Sequence, residues 1–277
     1  MNIARVFARK TSATPNDALA FTGPPPRNLL DIDQINISVT FSYDIQKAEQ
    51  LAEAWRKVGV PVKIGGAALG DKGGVFVPGF YLKKGYVITS RGCSSTKDCW
   101  FCSVKSREGD LRELPVTEGN IILDNNILAC SDTHIKSVFE MLKNQTKRPV
   151  FSGGIEARRL KSWHIDLLRE VKTKRLYCAY DNVSDYEPLV QAGKLLRDGG
   201  ITRKSHTARC YVLCGYMGDT FEKAEKRMRD AWSAGFLPFS MLYRDKSGEA
   251  QHEWAKFQRA WTRPQIVYSQ LKEGING

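Results

Sequence analysis

An α/β fold built on parallel sheet is predicted by three observations: a β-α-β pattern over residues 35–64, a strand-then-helix rhythm that repeats from Tyr86 onward, and polar or metal-ligating residues just after each apolar strand segment. At 277 residues and 42% hydrophobic, the chain can bury one large core or two unequal ones. Its character changes near residue 80. That divides it into a short N-terminal α/β cap (1–82), a repeating α/β body (83–245) and a C-terminal helical extension (246–277).

The elements follow in order. Ile3 to Phe7 is a short apolar strand; Lys10 to Pro26 reads as a loop, since Pro15 and Pro24-Pro25-Pro26 forbid regular structure. Ile35 to Phe41 alternates apolar and polar residues with β-branched side chains and is a strand. Asp44 is placed to cap the next helix, where Ile45, Ala48, Leu51, Ala52 and Trp55 recur at helical spacing. Val60 to Ile64 returns as a strand ending in Gly65-Gly66. Gly65, Gly66, Gly70, Gly73 and Gly74 read as turn residues, with the edge of a phosphate or nucleotide site as the alternative.

In the body, strands are expected at Tyr86–Thr89, Asn120–Leu123, Pro149–Phe151, Leu176–Tyr180, Cys210–Cys214 and Leu237–Tyr243. Helices follow several of them: one capped by Ser131 with Ile135, Val138, Phe139 and Leu142 inward, one from Trp163 to Val171, and one closing near Gly235. Ligands of parallel α/β folds sit at the carboxyl ends of strands. Cys93, Asp124-Asn125-Asn126, Glu156 and Arg158, Asp181, Gly215, and Arg244-Asp245 all fall at such ends.

Arg91-Gly92-Cys93 to Cys99-Trp100-Phe101-Cys102 carries three cysteines spaced C-x5-C-x2-C. Three thiolates can hold three corners of a [4Fe–4S] cluster and leave the fourth iron open, where closed carrier sites use four cysteines. A zinc site would need a fourth ligand from Cys130 or His134, about 30 residues on and without finger or ribbon spacing. A disulfide framework is disfavoured by the odd count of seven cysteines and by the lack of an apolar signal-peptide region, so a reducing, cytoplasmic setting is expected.

With an aromatic, Phe101, before its last cysteine, this segment resembles the signature of the radical S-adenosylmethionine (SAM) superfamily. The resemblance covers residues 83 to about 245. It implies a partial (β/α)6 TIM-like barrel, a cluster held by Cys93, Cys99 and Cys102, and reductive cleavage of SAM to a 5′-deoxyadenosyl radical, with a flavodoxin or ferredoxin as reductase. Two assignments for the methionine end of SAM stay open. In one, Asp124, Asn125 and Asn126 hold the amino group and Arg158 pairs with the carboxylate. In the other, Gly153, Gly154 and Glu156 form the amino-binding motif. Asp181 resembles the ribose-holding residue, Gly215-Tyr216 the glycine motif against adenine, and Phe101 an adenine neighbour through its backbone. Asp219 and Thr220 are read as helix caps. Cys214 is a candidate hydrogen-atom donor, with a packed thiol as the alternative. Tyr180, Tyr216 and Tyr243 sit near strand ends, where aromatics stack a base or pack. His134 and His164, on predicted helices, read as ordinary surface or packing residues. The first 80 residues are loosely similar to a Rossmann-like cobalamin-binding domain but too short for a working one, so a capping remnant is expected and cobalamin is not.

A net charge of +12 points to a polyanionic partner, DNA or RNA, or else to a solvated basic surface, since the charges are dispersed and form no run. No repeats stand out, and no apolar stretch approaches the ~20 residues of a membrane span. Trp254, Phe257 and Trp261, interleaved with Lys256, Arg259 and Arg263, form one helical face that packs on the body or, if exposed, stacks nucleic acid. Modification of a nucleic acid or nucleotide is the expected reaction class. The alternatives are a small-molecule or peptide radical enzyme, and a non-catalytic iron–sulfur or nucleic-acid-binding protein.

Overall fold

The structure, a computed structural model, describes residues 1–29, 31–94, 99–245, 248 and 252–273. The chain divides into two compact units, Met1–Ile121 and Ile122–Gly277.

The first unit holds β1 (Ile3–Phe7), β2 (Ala20–Thr22), β3 (Gln34–Ser38), α1 (Ile45–Arg56) and β4 (Val62–Gly65). These strands form a parallel sheet in the order β2-β1-β3-β4. The β-α-β pattern is therefore present, with three differences from expectation. The stretch from Lys10 to Pro26 is not all loop, because β2 pairs with β1 at Arg5↔Ala20 and its Phe21 ring meets Trp55 at 5.2 Å. The third strand ends at Ser38 rather than Phe41. Asp44 does not cap α1 with its side chain: its buried carboxylate takes two hydrogen bonds from Arg9, at 2.7 and 2.6 Å. Ala48, Leu51, Ala52 and Trp55 of α1 pack on Ala4, Val6, Ile35 and Ile37 of the sheet, as the helical spacing predicts.

The same unit continues through β5 (Tyr86–Val87), β6 (Ser90–Arg91), the cysteine loop, α2 (Val104–Glu108) and β7 (Arg112–Glu113), which pairs antiparallel with β6. The glycine stretch packs at this hairpin. Arg112 donates to the carbonyls of Lys72 (2.6 Å) and Gly73 (3.5 Å), and a Cβ on Gly73 would touch the Arg91 guanidinium.

From the unit boundary the elements alternate: β8 (Ile121–Ile122), α3 (Asp132–Lys143), β9 (Val150–Phe151), α4 (Ser162–Glu170), β10 (Arg175–Ala179), α5 (Tyr186–Asp198), β11 (Ala208–Cys214), α6 (Phe221–Ser233), β12 (Leu237–Leu242), α7 (His252–Ala260) and α8 (Pro264–Glu273). The strands belong to a six-stranded sheet in the order β12-β11-β10-β9-β8-β5, parallel across β9 to β12 and not closed on itself. Ser131 and Thr220 cap α3 and α6 as expected, accepting from the N–H groups of His134 and Lys223. Phe139, Phe151, Ile122, Leu168, Leu176 and Phe236 are fully buried in this unit. The Trp254–Phe257–Trp261 face packs inward: Trp254 and Trp261 are buried. Among the described residues, no helix is long and apolar enough to cross a membrane.

Candidate metal centre and strand-end cluster

The cysteine loop springs from a firmly held root. Gly92 has φ +77°, and a Cβ there would collide with the Asp110 carbonyl, so only glycine fits. Its N–H donates to the buried Glu108 carboxylate at 3.0 Å, and Arg91 reaches the same carboxylate at 3.4 Å. Cys93 N–H donates to Gly109 O at 3.3 Å, and Cys102 N–H to Cys99 O at 2.8 Å. Glu108 is thus a loop-bracing residue that spacing alone did not reveal.

All seven cysteines are thiols, none in a disulfide; Cys93 and Cys99 are half-buried, Cys102 is exposed, and the other four are buried. Desolvation raises the Cys102 thiol above its ordinary value, and Cys93 and Glu108 raise it further. Among the described residues, no three His, Cys, Asp or Glu side chains already converge as a metal site. Residues 95–98 of the motif lie outside the described residues. Phe101 lies edge-on to the exposed Trp100, ring centroids 5.5 Å apart. The donor set, three accessible thiols on a braced turn, fits an iron–sulfur cluster.

In the second unit the strand-end residues form two hydrogen-bonded groups, one joining Asn126, Glu156, Arg158, Arg159 and Asp185 and one joining Asp181, Leu213, Gly215, Asp219 and Arg227. Ser152 and Gly153 N–H both donate to Ile122 O, and a Cβ on Gly153 would collide with the carbonyl oxygen of Asp124. This close approach accounts for Gly153, while Gly154 takes φ +115°, and it brings the loop after β9 onto the loop after β8. Asn126 Nδ2 consequently donates to Glu156 Oε2 at 2.7 Å, so the segments after β8 and β9 are in contact. Asn126 is buried, and its Oδ1 has no hydrogen-bond partner among the described residues. A buried acceptor left so is costly, and suits a donor group brought by a ligand.

Arg158 donates to the buried Asp185 at 2.9 Å and lies 3.7 Å from Glu156, while Arg159 takes Glu156 at 2.7 Å. Asp185 was not expected; its only sequence signal is its position just before α5. Asp124 is buried, and Asp181 accepts the Leu213 N–H at 2.9 Å. Asp219 does not cap α6 but accepts from Gly215 N–H and Arg227, both at 2.9 Å, while Arg227 lies 5.3 Å from the Tyr216 ring. A Cβ on Gly215 would sit 3.0 Å from Leu242 and Trp254, which already cover that face.

Cys214 is fully buried beside Ala224 and Trp254, with Sγ 2.8 Å from Ser240 Oγ. Burial pushes its thiol up to about 11, so it stays protonated at neutral pH. Tyr180 is buried and donates to Asp230 at 3.2 Å; burial first, then that carboxylate, raises its phenol. His134 and His164 are both buried on their helices. The two groups can accept ammonium and hydroxyl donors through Asn126, Glu156 and Asp181, and meet an anion through Arg158.

No protein-family model matches this chain, and no curated protein matches it.

Proposed function

We propose that this protein is a radical SAM enzyme that modifies a nucleic acid or nucleotide. The observation that carries the reading is the cysteine loop: three accessible thiols at C-x5-C-x2-C on a turn braced by Gly92 and Glu108. A [4Fe–4S] cluster on Cys93, Cys99 and Cys102 would supply one low-potential electron and an open iron. The methionine ammonium of SAM would donate to the unpartnered Asn126 Oδ1 and to Glu156, which merges the two assignments left open by the sequence. The methionine carboxylate would have to share Arg158 with Asp185. Asp181 would accept from a ribose hydroxyl. Cys214, protonated but enclosed, would serve as a hydrogen-atom donor only to a radical that reaches past Trp254 and Ser240. The open sheet order, in which β8 to β12 each lie beside their neighbour in sequence, supports a partial (β/α)6 barrel. A flavodoxin- or ferredoxin-type reductase would deliver the electron.

The test is anaerobic reconstitution with iron and sulfide, followed by dithionite and SAM. Expected are about four irons per chain, and 5′-deoxyadenosine with methionine in equal amounts. Single Cys93→Ala, Cys99→Ala and Cys102→Ala variants should lose both. Asn126→Ala should bind SAM about tenfold more weakly, one charge-assisted hydrogen bond's worth. A triple cysteine variant that keeps its iron would refute the cluster assignment.

A further inference from the structure

The second unit carries most of the surplus charge: residues 122–277 hold 26 Lys and Arg against 18 Asp and Glu, +8 of the total +12. The three connections that lead into β9, β10 and β11 concentrate it. They read Thr146-Lys147-Arg148, Val171-Lys172-Thr173-Lys174-Arg175 and Thr202-Arg203-Lys204, and residues 144–149, 171–175 and 199–207 together hold seven cations and no carboxylate. Because β9, β10 and β11 are parallel neighbours, these connections lie side by side at the amino-terminal edge of the sheet, ~5 Å apart per strand.

The connections are stitched together. Lys174 N–H donates to Pro149 O at 2.8 Å and Leu176 N–H to Thr207 O at 2.9 Å, while Arg148 donates to the carbonyls of Lys172 and Thr173. Arg148 and Arg203 thus do structural work, Arg203 lying 4.1 Å from the Trp232 ring. Lys147, Lys172, Lys174, Arg175 and Lys204 are exposed, with no ion pair found for them among the described residues.

Helix dipoles do not account for these cations. Each helix places its own in the last turn, Lys143, Arg169 and Arg197, and the dipole's influence fades beyond that turn. Among the described residues, the two non-glycine residues with positive φ, Lys172 (52°) and His206 (57°), both lie in these connections. Lys172 takes the left-handed position that closes α4, where Thr173 N–H donates to Leu168 O at 3.1 Å and sets the connection's path.

We infer that this edge is a docking surface for the phosphate backbone of a nucleic-acid duplex. The large exposed apolar residues among those described, Trp100, Phe41 and Met217 among them, all lie elsewhere, so the row lacks the stacking platform that holds single strands. A braced row of cations matches regular phosphates without reading bases. The edge is opposite the strand-end cluster, and β11 alone spans ~23 Å, so the surface anchors a substrate at a distance from the reacting nucleotide. The inference rests on the proposed function only for its substrate class, and not for its radical chemistry.

The experiment is duplex binding as a function of salt with ~20-base-pair DNA and RNA duplexes and a single strand of equal length. The full-length protein is compared with a Lys147→Ala/Lys174→Ala/Lys204→Ala variant and with a Lys47→Ala/Lys57→Ala/Lys63→Ala control of identical net charge. Expected is a log–log slope shallower by about 2.7 in the first variant, roughly 0.9 per lysine, and unchanged in the control. The better-bound duplex identifies the source. Wild-type binding to neither duplex, binding to the single strand alone, or equal slopes in the two variants would overturn the surface. SAM cleavage by wild type, measured separately, reports on the enzymatic reading alone.

Discussion

At the scale of single residues, His164 gives the sharpest pH signature. Its Nδ1 accepts the Lys161 N–H at 3.0 Å, and its Nε2 is buried without a partner among the described residues. Desolvation first, then Lys161, lower its pKa to about 4. A base whose folded pKa lies below its unfolded value of ~6.5 binds its proton preferentially when unfolded. Its stabilising effect is complete above pH 6.5 and is lost as pH falls toward 4, about 3 kcal/mol in all and about 2 kcal/mol of it by pH 5. Urea unfolding at pH 7.5 and pH 5 should show this loss in wild type and a much smaller one in His164→Asn, which keeps an acceptor for Lys161 but cannot titrate. Helical position was legible for this residue; its burial was not, because the sequence does not say which turn of α4 faces the sheet.

Among elements, those with strong periodicity were legible and those fixed by distant partners were not. The core face of α1 and the caps of α3 and α6 were readable because spacing and cap chemistry are local. β2 was hidden because three residues carry no pattern; pairing with β1 and the Phe21–Trp55 contact create it. Asp44 sits where a cap belongs, yet Arg9, 35 residues away, takes its carboxylate. Trp55 therefore couples three elements: it is fully buried, and its Nε1 donates to Gly23 O at 2.9 Å. Trp55→Ala should destabilise the protein by about 3–5 kcal/mol and release β2, and Trp55→Phe by about 1 kcal/mol for the lost hydrogen bond. Thermal melts, with proteolysis mapped to residues 8–31, check both. The candidate site was legible as a set of strand-end positions, but not as a network. Which carboxylate each arginine takes depends on Asp185, and the contact between the Asp124–Asn126 and Gly153–Glu156 segments depends on Gly153 pressing on Asp124.

For the whole molecule, dispersion of charge along the chain hid its concentration in space. Three short basic segments, 26 to 29 residues apart, form no run, and only parallel pairing of the strands they precede aligns them. The seven thiols are divided just as unevenly. Cys93, Cys99 and Cys102 belong to the first unit and reach solvent, whereas Cys130, Cys178, Cys210 and Cys214 belong to the second and are buried, with burial raising Cys178 to about 12. A thiolate must form and meet reagent before it is alkylated. With iodoacetamide, the metal-free protein should thus acquire three adducts rapidly and the last four only through opening of the second unit. Their labelling rate becomes an internal clock for that opening, read by mass spectrometry and separable from events in the first unit. Reconstitution with iron should erase the fast phase and leave the slow one running.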